Sequence, residues 1–417
     1  MIVPATWPGR AYELKAVAIL AFGFGLVGID RFMISAMFPA IAADLKLGYE
    51  DIGTITGALA IAWGIAAFFM GNLSDRLGRR KILVGSMVVF SLLIGASGLA
   101  GGLMTLVLVR VIMGLADGAY TPPSITATLE ASPPQRYGLN LGIQQMMLPL
   151  FGLGIAPILV TQLLEFIDWR WVFPIFAVPG LLAAWLMQRW IRDSGSARPA
   201  SDEAMVAAHA SAGSFDDYKR VLKVYNIRLL SIGMLCWLTC LVTTSAFLPS
   251  YLIEHAGLSG VEMGFVMSAI GWGATAGTVL LPWLSDRLGR KPVMMLCTLG
   301  ALASLMLLSM ASTATGLFAS LFATHFFNFA LITLTVGPVS SESAPPALMA
   351  TASGTIIAIG ELFGGGVAPI VVGFTVGHFG IDHMLWLPML AMAAGFVIAV
   401  LIEETAPIHR SRQEVIS

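Results

Sequence analysis

The sequence runs to 417 residues, of which 57% are hydrophobic and 11% charged, with a formal net charge of −1. A soluble domain carries about 25% charged residues. A water-soluble fold of this length could not cover so much apolar surface, so the solvent of most of the chain is lipid. The near-zero charge gives no sign of nucleic-acid binding, and no phosphate loop, metal-ligand cluster or nucleophile constellation appears. An enzyme, a self-contained ATP-driven pump, a metal site and a cofactor are therefore not expected.

In lipid only helices and closed barrels satisfy their own backbone. Barrel strands are about ten residues of alternating polarity. The apolar runs here are about 20 residues long and apolar all round, which predicts an all-α integral membrane protein. Met1–Lys15 lacks an apolar core with a small-residue cleavage site. The first run, Ala16–Pro39, is too long for a signal peptide and reads as a span. Twelve spans are predicted. The first half offers 16–39, 52–72, 82–101, 103–125, 139–163 and 171–191. The second offers 227–253, 262–284, 292–312, 315–339, 348–376 and 384–403. The expected organisation is an N-terminal six-helix bundle (1–191), a polar cytoplasmic linker (192–225), a C-terminal six-helix bundle (226–404) and a short tail (405–417). Within the linker, which contains GSARPASDE, a short surface helix is predicted around Glu203–Ala212. Cys236, Cys240 and Cys297 all fall inside apolar runs and read as small core residues.

The halves are related. Leu73–Arg79 reads LSDRLGR, and Leu284–Arg290 reads LSDRLGR again, 211 residues later. Each copy follows the second apolar run of its half, the internal symmetry common among secondary transporters. Lys and Arg set the orientation. With both termini cytoplasmic, Lys46 and Arg170 fall outside, Arg31 and Arg110 lie within spans, and the rest of the 23 lie inside. Gly23, Gly25 and Gly28, Gly152, Gly154 and Pro157, and Gly364–Gly366 with Pro369 all stand within spans. Small residues let helix backbones approach, and prolines bend helices around cavities.

Five charged residues stand well inside spans: Asp30, Arg31, Arg110, Asp117 and Glu361. Each costs roughly 2.5–3.5 kcal/mol at a helix centre, a cost usually met by pairing. Arg110 and Asp117 are seven residues apart and share a face, about 10 Å from each other at about 1.5 Å rise per residue. They need a partner from another span. Asp30 can approach Arg110, or Arg31 can approach Asp117. A purely architectural reading makes these ion pairs that fix helix packing, with Glu361 facing a donor in span 10. The functional reading starts from the zero formal sum of the four charges in the first half: one proton makes that set positive and suits an anion. Gln144, Gln145, Tyr120, Trp237, His325 and Asn328 are further candidates for substrate contact. Tyr120 and Trp237, with Tyr251 and Trp272, read first as packing or interface aromatics, and His325 equally as a satisfied buried histidine.

Gly71-x-Leu73-x-Asp75-Arg76-x-Gly78-Arg79-Arg80-Lys81 resembles the signature turn of the major facilitator superfamily. Ser285–Lys291 resembles its second-half counterpart, and Arg110, Gly114 and Gly118 resemble that superfamily's fourth-span motif. The resemblance implies two pseudo-symmetric six-helix bundles around a cavity open alternately to each side. It also implies a cytoplasmic gate of Gly71, Asp75, Arg76, Gly78 and Arg79, mirrored by Asp286, Arg287 and Arg290, in which Asp75 meets the N-terminal end of span 11. Asp30-Arg31, followed by Pro39, Ile41 and Asp44-Leu45, resembles the anion:cation symporter family, with aromatic-acid:proton symporters a near relative. Arg110 and Asp117 match that family's fourth-span pair, with Asp in place of its usual Glu. That narrower resemblance implies that Arg31 and Arg110 hold an organic anion and that Asp30 and Asp117 handle protons. Glu361 departs from it, because a neutral polar residue is usual there, and is a candidate for both roles. The expected protein is a monomeric, proton-coupled uptake carrier for a small organic anion in a bacterial inner membrane. The runner-up is a proton-driven drug or metabolite exporter of the same fold.

Overall fold

A computed structural model describes residues 9–133, 136–192, 215–345 and 348–406. Regular structure among them is helical throughout. Among the described residues twelve helices are long and apolar enough to cross a membrane. Spans 1 to 6 are Arg10–Leu45, Tyr49–Phe69, Arg79–Ser97, Leu103–Ala131, Leu139–Leu164 and Trp169–Trp190. Spans 7 to 12 are Tyr225–His255, Gly260–Leu288, Arg290–Met310, Ala314–Ser343, Thr351–Phe379 and Ile381–Leu401. The twelve predicted runs are all present, as two pseudo-symmetric six-helix bundles.

Spans 1 and 4 outrun their predicted limits because proline does not stop them. Pro39 lies inside span 1, and Pro122 and Pro123 lie inside span 4, which continues to Ala131. Elsewhere a widened π-helical turn sits beside a proline. Leu150–Ile155 follows Pro149, Tyr251–His255 follows Pro249, Thr335–Val339 contains Pro338, and Gly360–Val367 comes just before Pro369. Proline removes one donor from the ladder, and a wider turn with packing from neighbours re-satisfies the freed carbonyls. The helix predicted around Glu203–Ala212 lies outside the described residues. A helix does occur later in the linker, at Phe215–Lys223, and its Tyr218 ring stacks on Phe68 of span 2 with centroids 4.9 Å apart.

The repeated turns are built alike. Gly78 (φ 94°) joins spans 2 and 3, and Gly289 (φ 100°) joins spans 8 and 9. Only glycine adopts that backbone without strain, which fixes the glycine of each LSDRLGR copy. The arginine after each glycine reaches the end of a span in its own half: Arg79 pairs with Glu130 of span 4, and Arg290 with Glu342 of span 10 at 2.8 Å. Asp286 pairs with Arg290 at 2.6 Å, and Arg287 lies over the Trp283 ring. Gly71 is part of the span 2 helix. The side chains of Asp75 and Arg76, on which the expected gate depends, lie outside the described residues.

Contacts between the halves begin at the end of the molecule away from the chain termini. There Tyr49 of span 2 donates to Glu254 at the end of span 7, and Glu50 lies 3.7 Å from His378 of span 11. Below them span 2 lies directly on span 11. A Cβ on Gly53 would stand 2.3 Å from the Pro369 carbonyl oxygen, and one on Gly57 2.6 Å from that of Gly366. Spans 5 and 8 touch as closely: a Cβ on Gly271 would meet the Gly154 nitrogen at 1.9 Å. These glycines bring the two halves within backbone contact.

At the opposite end Glu404 caps span 9. Its carboxylate accepts backbone N–H bonds from Arg290 (2.9 Å), Lys291 (3.1 Å), Thr405 (2.9 Å) and Ala406 (2.8 Å). Two of these N–H groups belong to a helix N-terminus, which favours negative charge. Burial pushes the Glu404 carboxyl up, but the backbone donors outweigh it and hold the group below its usual 4.5. A carboxylate depressed on folding stabilises the folded state above its unfolded value, and that stabilisation is lost as pH falls through the folded value. Glu404→Gln will therefore lower the melting temperature at pH 7. The difference from wild type will shrink as the pH of a melting series is taken below about 4.5.

Candidate functional site

Spans 1, 4 and 11 bring charged side chains together inside the helix bundle, beside Trp63 of span 2. Arg31 of span 1 meets Glu361 of span 11 edge to edge. Arg31 Nη1 donates to Glu361 Oε1 at 3.1 Å, and Nη2 donates to Oε2 at 2.7 Å. Two parallel charge-assisted bonds are the strongest pairing a guanidinium makes. The Arg31 Cζ also stands 4.4 Å from the Trp63 ring centroid of span 2 and 5.7 Å from that of Phe32. The pair is nearly buried, with side-chain exposures of 8% and 9%.

Local sequence explains how Glu361 reaches this position. It lies in the widened turn Gly360–Val367, among Gly360, Gly364, Gly365 and Gly366. A Cβ on Gly364 would stand 2.4 Å from the Leu235 carbonyl oxygen of span 7, and one on Gly365 3.3 Å from Ala60 of span 2. On span 2 itself, Gly64 leaves room beside the Glu361 Cβ. Span 11 is thus pressed between both halves with its one charged side chain aimed across the seam.

The second arginine pairs within the first half. Arg110 Nη1 donates to the Asp30 backbone oxygen at 3.0 Å and lies 3.3 and 3.4 Å from the two carboxylate oxygens. This settles the pairing that spacing left open: Asp30 goes to Arg110, and Arg31 goes to neither aspartate. The donor facing Glu361 is on span 1 rather than span 10. The Nε and Nη2 of Arg110 are buried without an acceptor. Asp117, on the same helix, is wholly buried, and neither of its oxygens has a hydrogen-bond partner. The charged set therefore contains five groups rather than four. With all ionised, Asp30, Asp117 and Glu361 against Arg31 and Arg110 leave one negative charge, so the zero sum expected from the first half alone does not describe the site. One proton brings it to zero.

A void of about 20 Å³ lies between the arginines, lined by Arg31, Arg110, Ser35, Thr56 and Ser245 among others. It has room for a water molecule and not for an organic anion.

The other predicted residues lie elsewhere. Gln144 of span 5 is buried and donates to Ser124 Oγ of span 4 at 2.9 Å, leaving its Oε1 without a donor. Its neighbour Gln145 is partly exposed, with Nε2 unbonded. Tyr120 donates to the Leu20 carbonyl at 3.0 Å, inside the first half and three turns from Arg31. Trp237 is fully buried inside the second half, its ring against Gly233 and Gly395. Asn328 donates to the Trp237 backbone oxygen at 3.1 Å, and His325 Nε2 lies 3.3 Å from Thr244 Oγ1. Those last contacts join spans 7 and 10, and none of the three residues is brought to Arg31. Trp63, Ser35, Thr56 and Ser245 line the arginine site, although sequence reasoning does not pick them out. Their one sequence signal is position: small polar residues, and an aromatic two turns along from Thr56, on spans otherwise filled with aliphatics.

The chain is similar to known transporters along its length. It is 28% identical to the sialic acid transporter NanX of Escherichia coli, over 93% of each chain. It is 29% identical to the 3-(3-hydroxy-phenyl)propionate transporter of the same organism, over 92% of each. To the hexuronate transporter of Bacillus subtilis it is 26% identical, over 67% of each. Among solved structures, a bacterial homologue of the human lysosomal transporter Spinster, inward-facing and unoccupied, shares the fold with a TM-score of 0.75. That match covers 94% of this chain and 96% of the other at 18% identity. The family model for the Major Facilitator Superfamily matches residues 20–362 and 257–415. The chain therefore belongs to the Major Facilitator Superfamily and is a membrane transporter rather than an enzyme.

Proposed function

We propose that this protein is a proton-coupled symporter that takes up a small organic anion by alternating access. The observation that carries the reading is Arg31: a guanidinium at the seam between the halves, backed by the Trp63 ring and presenting its paired edge to a carboxylate. Such an edge recognises carboxylates bidentately. The relatives support the same class, since their names specify transport of sialic acid, a hexuronate and a hydroxyphenylpropionate. In this reading Arg31 binds the substrate carboxylate and the unbonded Nε and Nη2 of Arg110 supply further donors.

Asp117 is the principal proton carrier, with Asp30 supporting it. A buried carboxyl group with no donor in reach is held at far lower cost as the neutral acid than as the anion. A proton on Asp117 leaves two closed ion pairs and no net charge at the site. Proton binding and anion binding then favour each other, and by linkage the preference is reciprocal. The bundles 1–191 and 226–404 rock about this site, joined by the linker 192–225. Asp75, with Gly71 and Arg76, closes the cytoplasmic side. The carrier acts as a monomer in a bacterial inner membrane with both termini and the tail 405–417 cytoplasmic. The alternative of a drug exporter rests on Glu361 and on the 22 methionines of the chain, and of these Glu361 is engaged by Arg31.

Two variants test the reading. Arg31→Ala will weaken binding of the transported carboxylate by roughly a hundredfold or more, the loss typical of one partner of a buried charged pair. Equilibrium binding to purified protein measures this, and wild-type affinity in Arg31→Ala would remove Arg31 from the site. Asp117→Asn imitates the protonated acid. In proteoliposomes it will keep counterflow of the substrate within a few-fold of wild type while losing accumulation driven by a pH gradient. Accumulation at the wild-type level would exclude Asp117 as the coupling group.

A further inference from the structure

Glu361 is the one charged group in the site contributed by the second half, and its only hydrogen-bond partner among the described residues is Arg31. Span 1 carries the arginine and span 11 the glutamate, so the bond crosses the seam along which the halves separate. The bond uses both terminal nitrogens of Arg31. An incoming carboxylate that binds bidentately needs that same edge. The void beside Arg31, about 20 Å³, is too small for an organic anion. Trp63 covers a face of the guanidinium, which leaves the edge as the approach.

We infer that Glu361 is a tethered counter-anion, which occupies the carboxylate-binding edge of Arg31 in the empty carrier and is displaced from it by the substrate's carboxylate. The inference rests on the anion-binding reading of Arg31 given above and assigns the competitor at that site. It explains how the halves can close without cargo. An arginine sealed into the seam with no partner would be a buried uncompensated charge, among the costliest things a protein interior can hold. Glu361 supplies the partner, so the empty carrier can close and reorient. When substrate arrives, the anion takes over the pairing and the link between spans 1 and 11 is released. The other charged groups nearby are Asp30 and Arg110, engaged with each other, and Asp117 on span 4. None of them bonds Glu361 among the described residues.

Removing the charge of the competitor must strengthen binding of the true ligand. The test uses full-length protein and four radiolabelled acids: sialic acid, a hexuronate, 3-(3-hydroxyphenyl)propionate and gentisate. In Glu361→Gln the acid that wild type binds best will bind roughly tenfold more tightly or better. Glu361→Asp, which keeps the charge one methylene further back, will fall between the two and provides a second variant if the first does not fold. In proteoliposomes Glu361→Gln will still exchange internal for external substrate but will lose net uptake, because its empty form cannot close over Arg31. Unchanged or weaker binding in both variants, with wild type binding normally, would overturn the inference and leave the anion reading standing. Binding of none of the acids to wild type or either variant would instead count against the anion reading. The counter-ion role is then decided without ligand, from spin-label distances between the outer ends of spans 1 and 11. Those distances will lengthen or broaden in empty Glu361→Gln, and an unchanged distribution would overturn the role.

Discussion

A charge inside a membrane has to be paired, and this chain places two arginines and three carboxylates there. Two cations can close two pairs, so one carboxylate is left over. The geometry decides which: Asp30 goes to Arg110, Glu361 goes to Arg31, and Asp117 is the remainder, buried with both oxygens unbonded. The two pairs differ in what they join. Asp30 and Arg110 tie span 1 to span 4 inside one half, whereas Arg31 and Glu361 tie span 1 to span 11 across the seam. A pair inside a rigid half can persist through a transport cycle, and a pair across the seam has to break when the halves part. The proposed division of labour follows from that difference, with Arg31 as the exchangeable site and Asp117 as the proton holder.

The cross-seam pair depends in turn on residues with no side chain. Arg31 and Glu361 can bond because span 11 lies against span 2, and that contact is made of backbone. Gly53 and Gly57 face Pro369 and Gly366, and Gly64 faces the Cβ of Glu361 itself. In lipid there is no hydrophobic drive to bring helices together, so close packing and polar contacts carry the association. A larger side chain at Gly57 or Gly64 would hold the glutamate away from the arginine. Packing that reads in the sequence only as an abundance of glycine thus sets the geometry of the charged site.

The spans are legible in the sequence because each apolar run has to satisfy its own backbone in lipid. The two-fold arrangement is legible from the second copy of LSDRLGR. The charged set itself stands out because Asp30, Arg31, Arg110, Asp117 and Glu361 are costly where they are. The pairing is not legible. Spacing along a helix fixes which residues share a face, as for Arg110 and Asp117, but the partner depends on how helices cross and rotate. Widened turns beside Pro149, Pro249, Pro338 and Pro369 alter that rotation in ways the period of the sequence does not display. The aromatic candidates divide for a related reason. Tyr120 and Trp237 pack inside their own halves, in keeping with their first reading, whereas Trp63, marked only by its place two turns along from Thr56, is the ring that lies on Arg31.

Comparing the halves separates scaffold from chemistry. At the 211-residue offset the turn features are kept: Gly78 is matched by Gly289, and Arg79 by Arg290. Each of those arginines pairs with a glutamate at the end of the fourth span of its own half, Glu130 in one and Glu342 in the other. These devices are common to both bundles. The charges of the site follow no such rule. Leu241, Val242 and Leu321 stand 211 residues after Asp30, Arg31 and Arg110, and Leu150 stands 211 before Glu361. Asp117 is matched by Asn328, close in shape and without the charge, and Asn328 makes a structural bond to the Trp237 backbone. A group needed only to hold helices together could be neutral, as Asn328 is. The unmatched charged groups bear a cost that their counterparts avoid, and the proposed binding of an anion and a proton at one seam would account for it.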